Sequence, residues 1–189
     1  VNTLLTRFMA LQVARGAVTC NDRTMASITF HGDPVSTVGE LPAVGSSAPT
    51  IDLVGADMSE VTTDGLAGRR VVLNIFPSVD TGVCAMSVRR FNELAAGLDG
   101  TTVVCISHDL PYALGRFCGA EGIDRVVTAS AFRSTFGADY GLTMVDGPMR
   151  GLLARAVIVA DADGIVRHVQ LTESIGQEPD YDAALAALN

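Results

Sequence analysis

A three-layer α/β domain is the fold that this sequence predicts. Three observations predict it. Short apolar runs bounded by turn residues, Val71-Val72-Leu73-Asn74-Ile75-Phe76 before Pro77 and Thr102 to Ser107 (TVVCIS), read as buried strands. Between them, residues 82–98 carry apolar positions at helical spacing. The chain then closes on a strand–turn–strand pattern followed by a last helix, and strands that alternate with helices form a sheet covered by those helices. A chain of 189 residues, 48% hydrophobic and with mean hydropathy +0.34, has material for a real core. At this length roughly 70% of the unfolded surface is buried.

Each element follows in order. Ser27 to His31 alternates, Gly32-Asp33-Pro34 turns, and Val35 to Val38 returns, which is a β-hairpin. Residues 39–50 (GELPAVGSSAPT) form a Gly/Pro/Ser-rich loop. The Val71–Phe76 strand leads through a loop into the helix over 82–98. There Cys84, Val88, Phe91, Ala95 and Leu98 recur at i, i+4, i+7, i+11 and i+14, a stripe that faces a sheet. After the strand over 102–107 come a shorter helix from Pro111 to Gly119, a short strand at Arg125–Val127, and a helical turn or two over Ala131–Phe136. Ala154–Ala160 is a strand, Asp161-Ala162-Asp163-Gly164 a turn, and Ile165–Leu171 the strand's partner. The last helix begins near Pro179 and runs from Tyr181 to Leu188. This order is that of a thioredoxin-like fold with an N-terminal β-hairpin, and residues 25–189 are expected to form it as one domain.

Charge and composition exclude several functions. Thirteen cations against 21 acids give a net charge of −8, and an acidic surface repels phosphate backbones, so no nucleic-acid partner is expected. All 13 cations are arginine. Without lysine there is no Schiff-base, PLP or P-loop chemistry. No run approaches the ~18 apolar residues of a membrane helix. Residues 1–24 hold Arg7, Arg15 and Arg23 against Asp22, so they are net positive while the remainder is strongly acidic. Arg7 and Arg15 interrupt any long apolar core that a secretory signal would need. The segment is therefore expected to be an upstream extension, disordered or non-native, with the domain starting at Met25 and the protein cytoplasmic; a targeting peptide is the alternative.

Four cysteines, Cys20, Cys84, Cys105 and Cys118, are too few for a secreted disulfide scaffold, and none has C-x-x-C spacing. Cys105 and His108 have C-x-x-H spacing, but His31 and His168 are the sole other histidines, and no metal site is expected. Cys84 is different. It follows a buried strand and a loop, and either Asp80 or Thr81 as N-cap puts it in the first turn of its helix. Unpaired N–H groups and the positive end of the helix dipole favour thiolate over thiol there. A cysteine that is merely a small core residue is the competing reading.

The neighbours decide between them. Pro77, Thr81 and Cys84 form P-x-x-x-T-x-x-C, which resembles the active-site signature of peroxiredoxins. The wider runs LNIFPSVDTGVC, CISHDLPYALGRFCGAEG and DGPMRGLLARAVIVAD are similar to the bacterial thiol peroxidase branch, the atypical two-cysteine peroxiredoxins, over essentially everything after Met25. That resemblance implies a thiol-dependent peroxidase with no cofactor, acting on hydrogen peroxide and organic hydroperoxides, alkyl ones above all. It implies Cys84 as the peroxidatic thiol and Cys118 as the resolving thiol, joined as a Cys84–Cys118 disulfide after turnover. Arg155 would hold the thiolate and polarise the peroxide; Thr81 would hydrogen-bond the sulfur, and Pro77 would shield it. Thioredoxin is the implied reductant and a homodimer the implied assembly. Cys20 and the extension have no counterpart in the family.

Some of this has independent physical support. Arg155 stands in an otherwise apolar strand, on the face of Val157 and Val159, where a guanidinium without an anion is costly. Cys118 lies near the end of its helix, where the dipole disfavours a thiolate, as suits a second nucleophile. Cys105, mid-strand, reads as core. If Cys84 begins one helix and Cys118 ends another, a disulfide with Cα atoms within about 7 Å needs local unwinding at both. Competing readings are a thioredoxin-like disulfide oxidoreductase, a peroxide sensor or chaperone, and a Cys84–His108–Asp109 hydrolase triad. The first lacks its other cysteine, since Thr81 stands there; the last needs adjacent residues to converge, and Asp109 reads as a cap of the next helix. Asp80 and Glu121 read as helix-end charges.

Overall fold

A computed structural model describes residues 25–188; the extension 1–24, with Cys20, lies outside the described residues. Nine strands and five helices follow one another there: β1 (Ser27–Phe30), β2 (Asp33–Ser36), β3 (Asp52–Gly55), β4 (Glu60–Thr62), α1 (Thr63–Leu66), β5 (Arg70–Ile75), α2 (Gly82–Ala95), β6 (Thr101–Ser107), α3 (Pro111–Glu121), β7 (Val127–Ser130), α4 (Phe136–Asp139), β8 (Ala156–Ala160), β9 (Val166–Leu171) and α5 (Tyr181–Ala186). A seven-stranded sheet has the order β4-β3-β7-β6-β5-β8-β9. Strands β5, β6 and β7 are parallel, and β8, β9, β3 and β4 extend the sheet antiparallel on either side. The N-terminal hairpin β1–β2 is a separate two-stranded sheet.

The period of two along the central strands sorts the core into two layers. Val71, Leu73, Ile75, Val104, Ile106 and Ile158 face one side with Phe136, Tyr140 and the hairpin residues Ile28 and Val35. Val72, Val103, Cys105, Val157 and Val159 face the other, against Cys84, Val88 and Phe91 of α2, Leu114 of α3 and Ala184 of α5. Central strands buried on both faces read as continuous apolar runs, which is why β5, β6 and β8 are plain in the sequence. The three-layer thioredoxin-like architecture with its N-terminal hairpin is thus present.

Several boundaries differ from expectation. The hairpin turn is His31-Gly32, both at positive φ (53° and 91°), so Asp33 and Pro34 belong to the second strand. Two positive-φ residues make the tight turn that matches strand twist. Helix α2 ends at Ala95 rather than 98, and α3 runs past Gly119 to Glu121. Gly122, at φ 66°, stops it there, and both Gly122 and Ile123 donate their N–H to the Cys118 carbonyl. Strand β7 lies at Val127–Ser130 rather than Arg125–Val127, and α4 at Phe136–Asp139 rather than Ala131–Phe136. Strand β8 starts at Ala156, so Arg155 precedes it. Its carbonyl nonetheless accepts from the Thr172 N–H at 3.1 Å and carries the ladder one step further. Among the described residues no helix is long and apolar enough to cross a membrane.

Candidate active site

Cys84 sits where β5 hands over to α2. The strand ends at Ile75, Phe76 and Pro77 are buried, and the chain turns through Ser78–Thr81. Thr81 is the N-cap, with extended backbone (φ −101°, ψ 145°), and the first helical N–H to find an intrahelical partner is that of Ala85, on the Thr81 carbonyl at 2.9 Å. Cys84 is therefore the third residue of the first turn, as the sequence implies, and its own N–H belongs to the unpaired set at the positive end of the helix. The residue is 0% exposed.

The buried guanidinium meets that sulfur. Arg155 is 1% exposed, and its Nη2 donates to Cys84 Sγ at 3.2 Å while its Nε donates to the Ile175 carbonyl at 2.9 Å. Its Nη1 is also buried and has no hydrogen-bond partner among the described residues. A cleft lined by Phe30, Thr81, Val83, Met149, Arg155 and Ile175 opens beside the pair, and it is largely apolar. Phe30 comes from the hairpin, which is how that small sheet reaches the site. The arrangement supplies a nucleophile, a fixed positive charge on it, one unused donor and an apolar approach.

The other expected residues fall as follows. The Thr81 hydroxyl does not reach the sulfur: it donates to the Ser78 carbonyl at 3.2 Å, because the extended N-cap backbone turns it back into the preceding loop. Cys118 is half-buried on the last turn of α3, with Sγ 3.2 Å from the Thr128 hydroxyl. None of Cys84, Cys105 and Cys118 is in a disulfide. Cys105 is buried under α2, beside a polar thread in which Asn74 Nδ2 reaches both Cys105 Sγ (3.5 Å) and Ser87 Oγ, and Ser87 Oγ donates to the Cys84 carbonyl at 2.8 Å. Burial pushes the Cys105 thiol up to about 12. His108 places Nδ1 2.8 Å from the Gly151 carbonyl and Asp109 turns the opposite way, so no hydrolase triad forms. Nor does Asp109 cap α3; Leu110 holds that position. The end charges pair across α2 and α3: Asp80 with Arg116 at 3.6 Å, Glu121 with Arg89 at 2.8 Å.

Against known proteins, residues 43–185 match the family model described as Redoxin. The chain belongs to the redoxin family. Within it, the chain is 59% identical to the thiol peroxidase of Corynebacterium glutamicum over 165 residues, 87% of this chain and 100% of that one. It is equally 59% identical to the thiol peroxidase of Mycobacterium tuberculosis, covering 87% of this chain and 99% of that one. A solved peroxiredoxin-like protein from Aquifex aeolicus superposes with a TM-score of 0.81 at 39% identity, over 86% of this chain and 95% of that one. The fold alone is shared with a thiol peroxidase from Chromobacterium violaceum (TM-score 0.79, 20% identity, covering 85% of this chain and 93% of that one).

Two parts of this redoxin site carry no signal in the sequence. Phe30 arrives from a distant hairpin, and the Ile175 carbonyl is a backbone group with no side-chain signature. Asp109 is visible in the sequence, but as a cap of the next helix or a triad member rather than as the acceptor for the Ser78–Val79 loop that the structure makes it.

Proposed function

We propose that this redoxin is a thiol-dependent peroxidase in which Cys84 attacks the peroxide, Cys118 resolves the product and an external dithiol resets the pair. The contact of Arg155 Nη2 with Cys84 Sγ carries the reading. A fully buried cysteine that is only a core residue has no use for a guanidinium. A thiolate does, because a buried charge needs a counter-ion.

The steps balance. The Cys84 thiolate attacks one oxygen of ROOH; the O–O bond breaks, and with one proton the products are Cys84 sulfenic acid and ROH. Charge grows on the departing oxygen, and the unused Arg155 Nη1 and the first-turn N–H groups of α2 are donors suited to it. The Cys118 thiol then displaces hydroxide from the sulfenic sulfur, giving the Cys84–Cys118 disulfide and water. Thiol–disulfide exchange with a dithiol protein, thioredoxin by family resemblance, returns both thiols. Metal and flavin have no role in this sequence of steps. Because Cys84 is wholly buried and Cys118 hydrogen-bonds on another helix, the first turn of α2 and the last turn of α3 unwind for the sulfurs to meet. The apolar cleft favours organic hydroperoxides. We further propose residues 25–189 as one domain, preceded by the extension 1–24, with a cytoplasmic setting and a homodimer.

Peroxide-dependent NADPH oxidation with thioredoxin and thioredoxin reductase tests this. Activity is expected in wild type and in Cys105→Ser, none in Cys84→Ser, and at most one turnover in Cys118→Ser. No peroxide consumption by wild type with any dithiol donor would overturn the reading in favour of disulfide exchange or sensing.

A further inference from the structure

We infer that Asp109 is a positioning residue that holds the Cys84 loop in its peroxide-reactive form and sets the rate at which that loop lets go for disulfide formation. The inference rests on the peroxidase reading above. Three donors converge on its carboxylate. Oδ1 accepts from Ser78 Oγ at 2.8 Å; Oδ2 accepts from the Val79 N–H at 2.7 Å and from Ser107 Oγ at 2.7 Å. Ser78 and Val79 lie in the loop between β5 and α2, and Asp109 lies between β6 and α3, so the carboxylate ties together segments 30 residues apart in the chain.

From that anchor the restraint runs to the first turn of α2, which bears the nucleophile. The Ser78 carbonyl accepts from both the N–H and the hydroxyl of Thr81, at 3.2 Å each, and the Thr81 carbonyl takes the Ala85 N–H that opens α2. Val79 is 1% exposed and packs in the same apolar cluster as Cys84. On its other side Asp109 is followed at once by Leu110 and Pro111, the cap and first residue of the helix that bears Cys118. The Asp109 carbonyl is itself held by the Ser130 hydroxyl of β7, and its N–H donates to Ser107 Oγ at 3.2 Å. One side chain thus fastens the peroxidatic loop to the base of the resolving helix.

Hydrogen bonds to a charged acceptor are roughly twice as strong as neutral ones. Held, the loop keeps Cys84 in the first turn of α2 against Arg155, where peroxide attack is fast. Released, it frees that turn to unwind toward Cys118. The two half-reactions therefore respond to Asp109 in opposite directions. Asp109 does not line the cleft and its hydrogen bonds go to the loop and to Ser107 and Ser130, not to the sulfur, so its influence is through the loop.

Asp109→Asn removes the charge and one acceptor position at nearly constant volume. Reduced wild-type and variant protein are mixed with one equivalent of cumene hydroperoxide, quenched with acid over milliseconds to seconds and weighed intact to count thiol, sulfenic acid and disulfide. The expected result is Cys84 oxidation slowed about tenfold, with sulfenic-acid-to-disulfide conversion faster than in wild type. A second readout follows: under excess peroxide the variant accumulates less Cys84 sulfinic acid, since resolution outruns the second oxidation. Asp109→Glu, which keeps the charge, moves both rates back toward wild type. If both half-reactions slow together, or neither changes, in a variant that melts like wild type, Asp109 is not a positioning residue of this kind. A variant that melts well below wild type with both rates reduced in proportion overturns it equally. If instead wild type itself forms no sulfenic acid or disulfide, it is the peroxidase reading that fails.

Discussion

Arg155 keeps its charge inside the protein by spending each nitrogen differently: Nε on the Ile175 carbonyl, Nη2 on Cys84, and Nη1 on no described residue. Replacing it with glutamine removes the counter-ion and the spare donor together. We expect Arg155→Gln to slow peroxide reduction by about 10²–10³-fold, the usual cost of losing one oxyanion-type donor. Arg155→Lys gives little rescue, because an ammonium cannot present a planar fork to a carbonyl and a sulfur at once. Single-turnover rates of Cys84 oxidation check both; a Lys variant at the wild-type rate would show that charge alone suffices. Cys105 is the opposite case. With its thiol pushed up to about 12 by burial, it stays protonated at neutral and mildly alkaline pH. Iodoacetamide at pH 8 should therefore alkylate half-buried Cys118 well before Cys105, which reacts only when the chain unfolds. Peptide mapping of partially labelled protein reads the order, and early labelling of Cys105 would contradict it. Both roles are partly legible in sequence: Arg155 because a lone cation in an apolar run needs an anion, Cys105 because a mid-strand thiol among valines is core. The Thr81 hydroxyl is not, since its direction follows from loop geometry that spacing does not encode.

At the scale of elements, the described helices differ in what holds them. α5 is six residues long, and its Asp180 N-cap accepts the Ala183 N–H at 2.9 Å. Asp180→Ala should cost about 1 kcal/mol, the ordinary worth of a cap. The Arg89–Glu121 pair between α2 and α3 is 43% and 34% exposed, so Arg89→Ala should cost well under about 1 kcal/mol. Denaturant midpoints for the two variants check the contrast; a larger loss for Arg89→Ala would mean that the helix–helix clamp outweighs its exposure. Elements legible in the sequence are those with one strong period. β5, β6 and β8 are apolar on both faces, and α2 has a clean stripe. The stretch 52–66 carries no such period, and its β3, β4 and α1 are four, three and four residues long. Asp52 and Glu60 break the apolar pattern, and these elements exist because β3 pairs with β7 and β4 with β3, which is tertiary information. Strand β7 begins two residues later than the sequence suggests because its buried stretch, Thr128-Ala129-Ser130, has small side chains and only one apolar residue, a weaker signal than the Val126-Val127 pair before it.

Across the whole molecule, the N-terminal segment and the loop between α4 and β8 depend on one another. Thr37 bridges to Met144, the Val145 N–H reaches the Ser36 carbonyl, and Gly39 lies against Gly141. Gly141 has φ 70°, and a Cβ there would run into the Glu40 carbonyl, which backbone constraints keep from moving aside. Gly141→Ala should destabilise the fold by about 1–2 kcal/mol from the left-handed backbone alone, and by more once the clash is counted. Thermal unfolding reads it, and a variant as stable as wild type would mean that the 39–41 segment is free to shift. The same packing brings Phe30 to the cleft, so a hairpin remote in sequence becomes one wall of the site. The proposed chemistry joins Cys84 and Cys118, on two helices of one layer, in a single disulfide. The most direct measurement treats fully reduced protein with one equivalent of hydroperoxide, blocks remaining thiols, digests without reduction and maps the linked peptides. One dominant cross-link is expected, Cys84 to Cys118, with Cys105 recovered as a blocked thiol. A cross-link through Cys105 or Cys20, or a Cys84 left unoxidised while peroxide remains, would contradict it.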